Sequence, residues 1–332
     1  MRTEVIDPHD ESVFRRFHEI MWRAETEDGR PWNPMWTFEE MAGIFREPTA
    51  ERRYLGLAAY DGEHMVGAGF LSLSQLANLE TAWAFVAVEP ELRGRGYGAH
   101  VLDGLVDAAR ADGRRQLLAG TGIGFEERDT SPVIAWARSL GFTIANTEVQ
   151  RNLDLPVPET LLASLEAEVA AHTNGYDVLS FSGPLPEELL ASWCELENMF
   201  LLEAPTGDVD VEAGRTTPAD VRDREGVDRR IGRTVYSSLA VRDGRVAAHT
   251  ELSVTGDGDE AFQWSTLVRP DDRGHRLGLA VKVANIRALQ AGHPKVRRIS
   301  TTNAETNAWM VAVNDRLGFE PVAVAPTFRR LI

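Results

Sequence analysis

Cysteine occurs once, at Cys194. A single thiol cannot close an internal disulfide and excludes a cysteine-rich metal site. Its neighbours Trp193 and Leu196 mark a helix core, so Cys194 reads as packing and not as a nucleophile. Lysine stands only at Lys282 and Lys295, and arginine supplies the rest of the positive charge; we read this as genomic base composition. No uncharged run approaches the ~18 residues of a membrane span. Residues 1–17 hold no apolar stretch behind an arginine, so no secretory signal and a cytoplasmic location are expected. HExxH and GxSxG are absent, the eight His are scattered, and no metal site is expected. Positive charge is in deficit: 35 Lys and Arg against 51 Asp and Glu leave a formal charge of −16. That argues against a nucleic-acid partner and for a cationic one, with solubility as the plainer explanation. The acidic excess is spread over both halves and does not mark a tail.

What is present is a chain of 332 residues, 43% hydrophobic and 26% charged, which is ordinary globular composition with room for two domains. The chain repeats itself at a spacing of about 180 residues. Arg93-Gly94-Arg95-Gly96-Tyr97-Gly98 is echoed by Arg273-Gly274-His275-Arg276-Leu277-Gly278. Leu140-Gly141-Phe142 is echoed by Leu317-Gly318-Phe319, and the turn Tyr60-Asp61-Gly62-Glu63 by Arg242-Asp243-Gly244-Arg245. Glu80 recurs as Glu260. The unit is far too long for a solenoid repeat and reads as a duplicated domain. We expect an N-terminal domain over 1–155, a linker helix within 156–174 after Pro156 and Pro158, and a C-terminal domain over 175–332.

The first copy predicts a strand at Glu4–Ile6 and a helix at Glu11–Glu25 with Val13, Phe14, Phe17, Ile20 and Met21 at helical period. A short helix follows at Thr37–Arg46, capped by Thr37. Strands at Tyr54–Tyr60 and His64–Ser72 join through Asp61-Gly62. Thr81–Val88 is apolar on both faces and should be a buried strand. A helix at Gly96–Ala111, a strand at Gln116–Ala119, a helix at Ser131–Leu140 stopped by Gly141 and strands over Ile144–Leu153 complete it. Glu159–Ala171 is the linker helix, Asp177–Phe181 opens the second copy, and the same order follows.

The informative segment runs Val86-Ala87-Val88-Glu89-Pro90-Glu91-Leu92-Arg93-Gly94-Arg95-Gly96-Tyr97-Gly98-Ala99. A buried strand ends and glycines open a helix. Glycines let successive amides point to one place, and the helix N-terminus adds partial positive charge; together they make a seat for a pyrophosphate. A P-loop would need Gly-Lys-Ser or Gly-Lys-Thr, which is absent. Gly94, Gly96 and Ala99 loosely satisfy a dinucleotide fingerprint. That fingerprint belongs after a first strand, with an acid ending the next one. Here it follows the fourth strand, and the next ends Leu117-Leu118-Ala119-Gly120.

The segment resembles the acyl-CoA motif of the GNAT superfamily, with Arg93, Gly96 and Gly98 in its fixed places, and the two Leu-Gly-Phe sequences resemble the close of that family's later helix. The likeness covers nearly the whole chain twice, in the tandem organisation of mycothiol synthase. It implies an α/β fold of two GNAT domains, each a mixed, mostly antiparallel sheet flanked by helices and splayed between strands 4 and 5. It implies acetyl-CoA as co-substrate. The backbone of Val86, Ala87 and Val88, with Val268 in the second copy, would hold pantetheine. Residues 93–99 and 273–278 would hold the pyrophosphate. Asn307, with Asn303 nearby, matches an Asn that contacts CoA in this family; Thr130 stands there in the first copy. Arg276 replaces a glycine. We expect it to keep a negative φ and lend its charge to phosphate; a position that needed φ > 0 would instead strain the loop and lose the seat.

The implied reaction is attack of a primary amine on a thioester, which needs a group to take a proton. The tyrosine often found four residues before the glycine of Leu-Gly-Phe is here Ala137 and Asn314, and the usual strand-four glutamate falls at Ala82 and Phe262. Glu80 and Glu260, two residues earlier on the same strand face, are the candidate bases, followed by Glu251 and Tyr236. The acceptor is expected to be a small, possibly cationic amine, with acidic stretches at 25–28 and 208–212 near it and Trp22, Trp32 and Trp36 packing beside it. The second copy's polar Asn303, Asn307 and Asn314 nominate the C-terminal half for the chemistry. A non-catalytic acyl-CoA-binding protein and a protein N-acetyltransferase are the alternative readings.

Overall fold

The computed structural model describes residues 1–26, 36–256 and 258–332. In chain order the elements are β1 (Arg2–Val5), α1 (Glu11–Thr26), α2 (Phe38–Arg46), β2 (Arg52–Asp61), β3 (His64–Ser74), β4 (Thr81–Val88), α3 (Tyr97–Ala111), β5 (Gln116–Gly120), α4 (Pro132–Ser139) and β6 (Thr143–Asp154). There follow α5 (Glu159–Ala170), β7 (Asp177–Ser182), α6 (Glu187–Glu197), α7 (Phe200–Glu203), α8 (Pro218–Arg230), β8 (Arg233–Arg242), β9 (Arg245–Thr255), β10 (Glu260–Val268), α9 (Leu277–Gly292), β11 (Arg298–Ala304), α10 (Ala308–Leu317) and β12 (Glu320–Leu331). The duplication is plain: apart from the extra one-turn helix α7, each half repeats the other's order of strands and helices from its first strand onward.

Two compact units form, and they divide the chain differently from cuts at 155 and 175. One unit holds Met1–Glu148, Thr206–Asp210 and Ala323–Ile332; the other holds Val149–Pro205 and Val211–Val322. The copies have exchanged their last strands. In the first unit, β12 pairs antiparallel with β5, from Thr327 opposite Gly120 to Leu331 opposite Gln116, and Val324 and Phe328 enter the core beside Leu105, Leu117 and Phe142. In the second, the latter part of β6 lies next to β11: the Leu155 amide donates to the Arg297 carbonyl at 2.8 Å and the Ser300 hydroxyl to Asn152 Oδ1 at 3.0 Å. Helix α5, expected as a linker, belongs to the second unit and buries Leu162, Leu165 and Val169 against α9 residues Val283 and Ile286.

In each unit four antiparallel strands, β1–β4 or β7–β10, lead into a parallel fifth, β5 or β11. Helix ends follow the side chains available to cap them. Thr37 and Glu40 close a reciprocal capping box on α2, and Thr217 and Asp220 do the same on α8. One sheet face of the first unit packs on α3 through Val101, Leu102, Leu105 and Val106. The other carries aromatic rings: Phe14, Phe17, Phe45, Tyr54, Phe70 and Phe85 stack or meet edge to face. Trp36 joins them against Tyr54 and Phe70, while Trp22 is exposed. Trp32 and residues 27–28 of the acidic stretch lie outside the described residues. In the second unit α9 covers one face and α6 and α8 the other, where Cys194 and Trp193 are buried.

Candidate functional site

Each unit opens at one place. β4 pairs with β5 only at Thr81, Ala82 and Trp83, and β10 pairs with β11 only at Glu260, Ala261 and Phe262. Beyond Trp83 and Phe262 the parallel ladder stops while the antiparallel one continues on the other edge, to Val88 opposite Gly67 and Val268 opposite Ala248. The fourth strand therefore ends with one edge unpaired by its neighbour, and such an edge offers backbone groups to an extended ligand. Val86, Ala87, Val88 and Val268 all lie on this stretch.

The loop at the end of that edge has the same backbone in both units. A single 3₁₀ turn, Pro90–Leu92 or Pro270–Asp272, precedes it. Left-handed residues then follow in alternation: Gly94 at φ +76° and Gly96 at +85°, Gly274 at +87° and Arg276 at +54°. Helices α3 and α9 start directly after, with no side chain capping their first turns. A Cβ placed on Gly94, Gly96 or Gly274 would meet nothing within 4 Å, so glycine is required there by φ, and the space over the loop is open. The uncapped amides and the helix dipole face that space, which suits a phosphate. Gly98 differs. Its φ is ordinary, but a Cβ there would stand 3.2 Å from the Trp136 ring and 3.5 Å from Val88 Cγ2.

Arg276 corrects an expectation. Its position does need φ > 0, and arginine occupies it at the cost of about 1–2 kcal/mol that a left-handed non-glycine residue carries. The loop nevertheless keeps its shape. The guanidinium is not turned to a phosphate seat but forms an ion pair with Glu168 of α5, which also engages Arg316.

Several other nominated side chains are engaged within the protein. Arg93 donates to the Ala24 carbonyl at 2.9 Å, Arg95 to the Glu91 carbonyl at 3.4 Å, Tyr97 to Asp61 at 2.8 Å and Arg273 to Glu203 at 2.5 Å. His275 lies against the Tyr176 ring at 5.4 Å, and Leu277 is core. Asn307 caps α10 by accepting from the Met310 amide at 3.2 Å. Asn303 accepts from Asn314 Nδ2 at 2.5 Å. What remains open at both loops is backbone, including the amides of Ala99 and Gly278 in the first helical turns.

The two candidate bases lie elsewhere. Glu80 precedes β4 in open solvent with Arg115 at 3.2 Å; Glu260 begins β10, paired with Arg298 at 3.1 Å. Both occupy the closed end of the fourth strand, before the split opens. An eight-residue strand at ~3.3 Å per residue puts roughly 25 Å between Glu80 and the loop. Tyr236 is buried on the α9 face, its hydroxyl 2.7 Å from His293 Nδ1, and burial raises its pKa.

Glu251 is placed differently. In the first unit β3 and β4 run in unbroken register, and Phe70 faces Phe85, rings stacked at 4.5 Å. In the second, the register jumps between Gln263 and Thr266, so Trp264 and Ser265 together oppose Glu251. This is a β-bulge, a device that re-aims side chains, and it follows Gln263, the first residue beyond the point where the split opens. Glu251 takes the place of Phe70 and accepts from Ser237 Oγ at 3.0 Å. Burial pushes its carboxyl above the usual range, and Glu197 adds to this while Arg224, His249 and Ser237 oppose it. Glu251 also lines a half-open cavity of about 270 Å³ with Ser237, Arg224, Asp228 and Arg233. Sequence patterning passes over His249 and Glu197 beside it, because one reads as a strand residue and the other as a helix-end acid.

The description "Acetyltransferase (GNAT) family" belongs to the family model that matches residues 14–142. No curated protein sequence matches the chain. Among solved structures it is similar to a tandem GNAT protein from the clavulanic acid biosynthesis pathway, solved without acetyl-CoA, at 23% identity over 99% of this chain and 98% of that one, TM-score 0.78. It is also similar to a GCN5-related N-acetyltransferase from Sphaerobacter thermophilus, at 15% identity over 99% and 95% of the two chains, TM-score 0.65.

Proposed function

From a chain whose residues 14–142 belong to the GNAT acetyltransferase family and whose whole length has the tandem GNAT fold, we propose that it moves an acetyl group from acetyl-CoA to the primary amine of a small molecule. One observation carries the reading. In each unit the fourth strand leaves its parallel neighbour and runs with a free edge into a loop of left-handed residues at an uncapped helix start. The free edge suits the amides of a pantetheine arm, and the loop suits a pyrophosphate. A backbone seat of this kind reads phosphate without needing a particular side chain, so Arg276 is tolerated.

The two units have different parts. The N-terminal loop keeps its glycines and is the stronger acetyl-CoA seat, but Phe70 and Phe85 fill the sheet face beside the split. The C-terminal unit has polar groups at the same level, around the bulge at Trp264 and Ser265. We assign the chemistry to the C-terminal unit and mainly binding to the N-terminal one. The cavity beside Glu251 mixes acids with arginines, which suits an acceptor carrying both an ammonium and an anionic or polar group. The overall negative charge favours a cationic acceptor, whose kcat/KM falls as salt screens its approach.

Calorimetry with acetyl-CoA tests the seat. Gly98→Val drives a branched side chain against Trp136 and Val88 and should lower affinity at the N-terminal unit tenfold or more, on the order of 1.4 kcal/mol. Unchanged heats and affinity would remove the N-terminal loop from the reading.

A further inference from the structure

Acyl transfer to an amine needs a proton acceptor, and the bulge of the C-terminal unit gathers polar groups that could serve. Glu197, the last residue of α6, accepts from Ser265 Oγ at 3.1 Å. Its Oε2 also lies 3.1 Å from His249 Nε2, without the alignment of a hydrogen bond. His249 is 0% exposed, and neither ring nitrogen has a hydrogen-bond partner among the described residues. A buried imidazole left so is unfavourable, and it persists here with Trp193 packed edge-on at 5.5 Å. Glu197 itself keeps 25% of its side chain exposed, so it bridges a buried cluster and solvent.

The position of this cluster gives it meaning. Ser265 is one of the two bulged residues, and the bulge starts after Gln263, the residue that follows Phe262, where β10 parts from β11. A carboxylate bonded to Ser265 is therefore held at the mouth of the split, on the face covered by α6 and α8. The first unit has no counterpart: Ala68 occupies the place of His249, facing Ala87 as His249 faces Leu267, and β4 has no bulge. His249 from β9 stands beside Glu197, and Glu251 of the same strand feels both of them together with Arg224 from α8.

We propose that Glu197 is the proton acceptor of the C-terminal unit, with His249 and Ser265 as its positioning residues. The proposal rests on the acyl-transfer reading above. As the amine nitrogen bonds to the thioester carbonyl carbon, its surplus proton passes to the Glu197 carboxylate. The C–S bond then breaks, the electron pair leaves with sulphur, and the proton held on Glu197 returns to the thiolate through solvent, so that amine and acetyl-CoA become amide and free thiol.

The experiment follows thiol release from acetyl-CoA against a panel of amino acids, aminosugars and polyamines, for the wild type and for Glu197→Gln, Glu197→Ala and His249→Gln. Glu197→Gln should lose ~10²–10⁴-fold in kcat with KM for acetyl-CoA unchanged. Added formate should restore part of the rate to Glu197→Ala, because a small carboxylate can enter the vacated space; a merely structural glutamate would show no such rescue. His249→Gln should lower kcat and leave KM for acetyl-CoA alone. Equal turnover in the wild type and Glu197→Gln, or a loss in Glu197→Ala that formate does not relieve, overturns the assignment and leaves acyl transfer standing. A wild type that turns over no amine overturns both.

Discussion

Lys282 is one of two lysines in the chain and has the least comfortable place. It sits in α9 where α3 has Leu102, is 1% exposed, and has the Phe319 ring 5.1 Å from its ammonium. Burial pulls its pKa from 10.5 to about 7. Between these values the unfolded chain binds the proton and the folded one does not, so stability rises with pH across that window. Below pH 7 the full penalty applies, about 4–5 kcal/mol before the ring contact offsets part of it. Lys282→Met should accordingly stabilise the protein by several kcal/mol at pH 6, with the gain shrinking as pH approaches 10. Urea unfolding at the two pH values checks this; a pH-independent difference would mean that the lysine is solvated in the folded state. Single residues are also where sequence reading is weakest. Glu80 and Glu260 are acids on the expected strand face, but strand face does not give position along the split. Glu251 is a candidate on its strand from sequence alone, but Glu197 stands out only where it accepts from the bulged Ser265.

At the scale of elements the sequence is far more legible. Strand β4 falls on Thr81–Val88 as expected, and α2, α3 and α4 begin within a residue of their expected starts, because each has a local cause: a capping threonine or serine, or a glycine with positive φ. The bulge in β10 had no such cause to read. Glu80 to Arg93 and Glu260 to Arg273 are equally spaced in the sequence, so the inserted residue leaves no mark there. The sign of φ at Arg276 was likewise hidden, because arginine is the wrong residue to announce a left-handed position. The loop gives a clean test of this account. Gly96 has φ +85° and open space around its Cα, so Gly96→Ala should cost about 1 kcal/mol through backbone conformation alone. Gly96→Asn, better suited to left-handed φ, should cost less. Equal losses by thermal unfolding would point to steric contact and against the conformational explanation.

The whole molecule shows why a duplicated sequence does not give two domains cut at the repeat boundary. The second copy's last strand completes the first unit's sheet, and the first copy's last strand joins the second. Strand pairing is set by long-range register, which no local pattern of residues encodes. Duplication also allows the copies to diverge. One keeps a glycine loop and fills its sheet face with Phe70 and Phe85; the other accepts Arg276 in the loop and keeps Glu197, His249 and Glu251 at a bulge. No helix among the described residues is long and apolar enough to cross a membrane. The central claim is that this arrangement transfers an acyl group and does not merely hold its donor. Thiol release from acetyl-CoA by the intact protein, with and without each amine of a broad panel, tests it most directly. The account predicts amine-dependent release with at least one small primary amine, one N-acetylated product per thiol, and a rate that declines as salt is added. Tight acetyl-CoA binding with no amine-dependent release would contradict it and identify an acyl-CoA-binding protein instead.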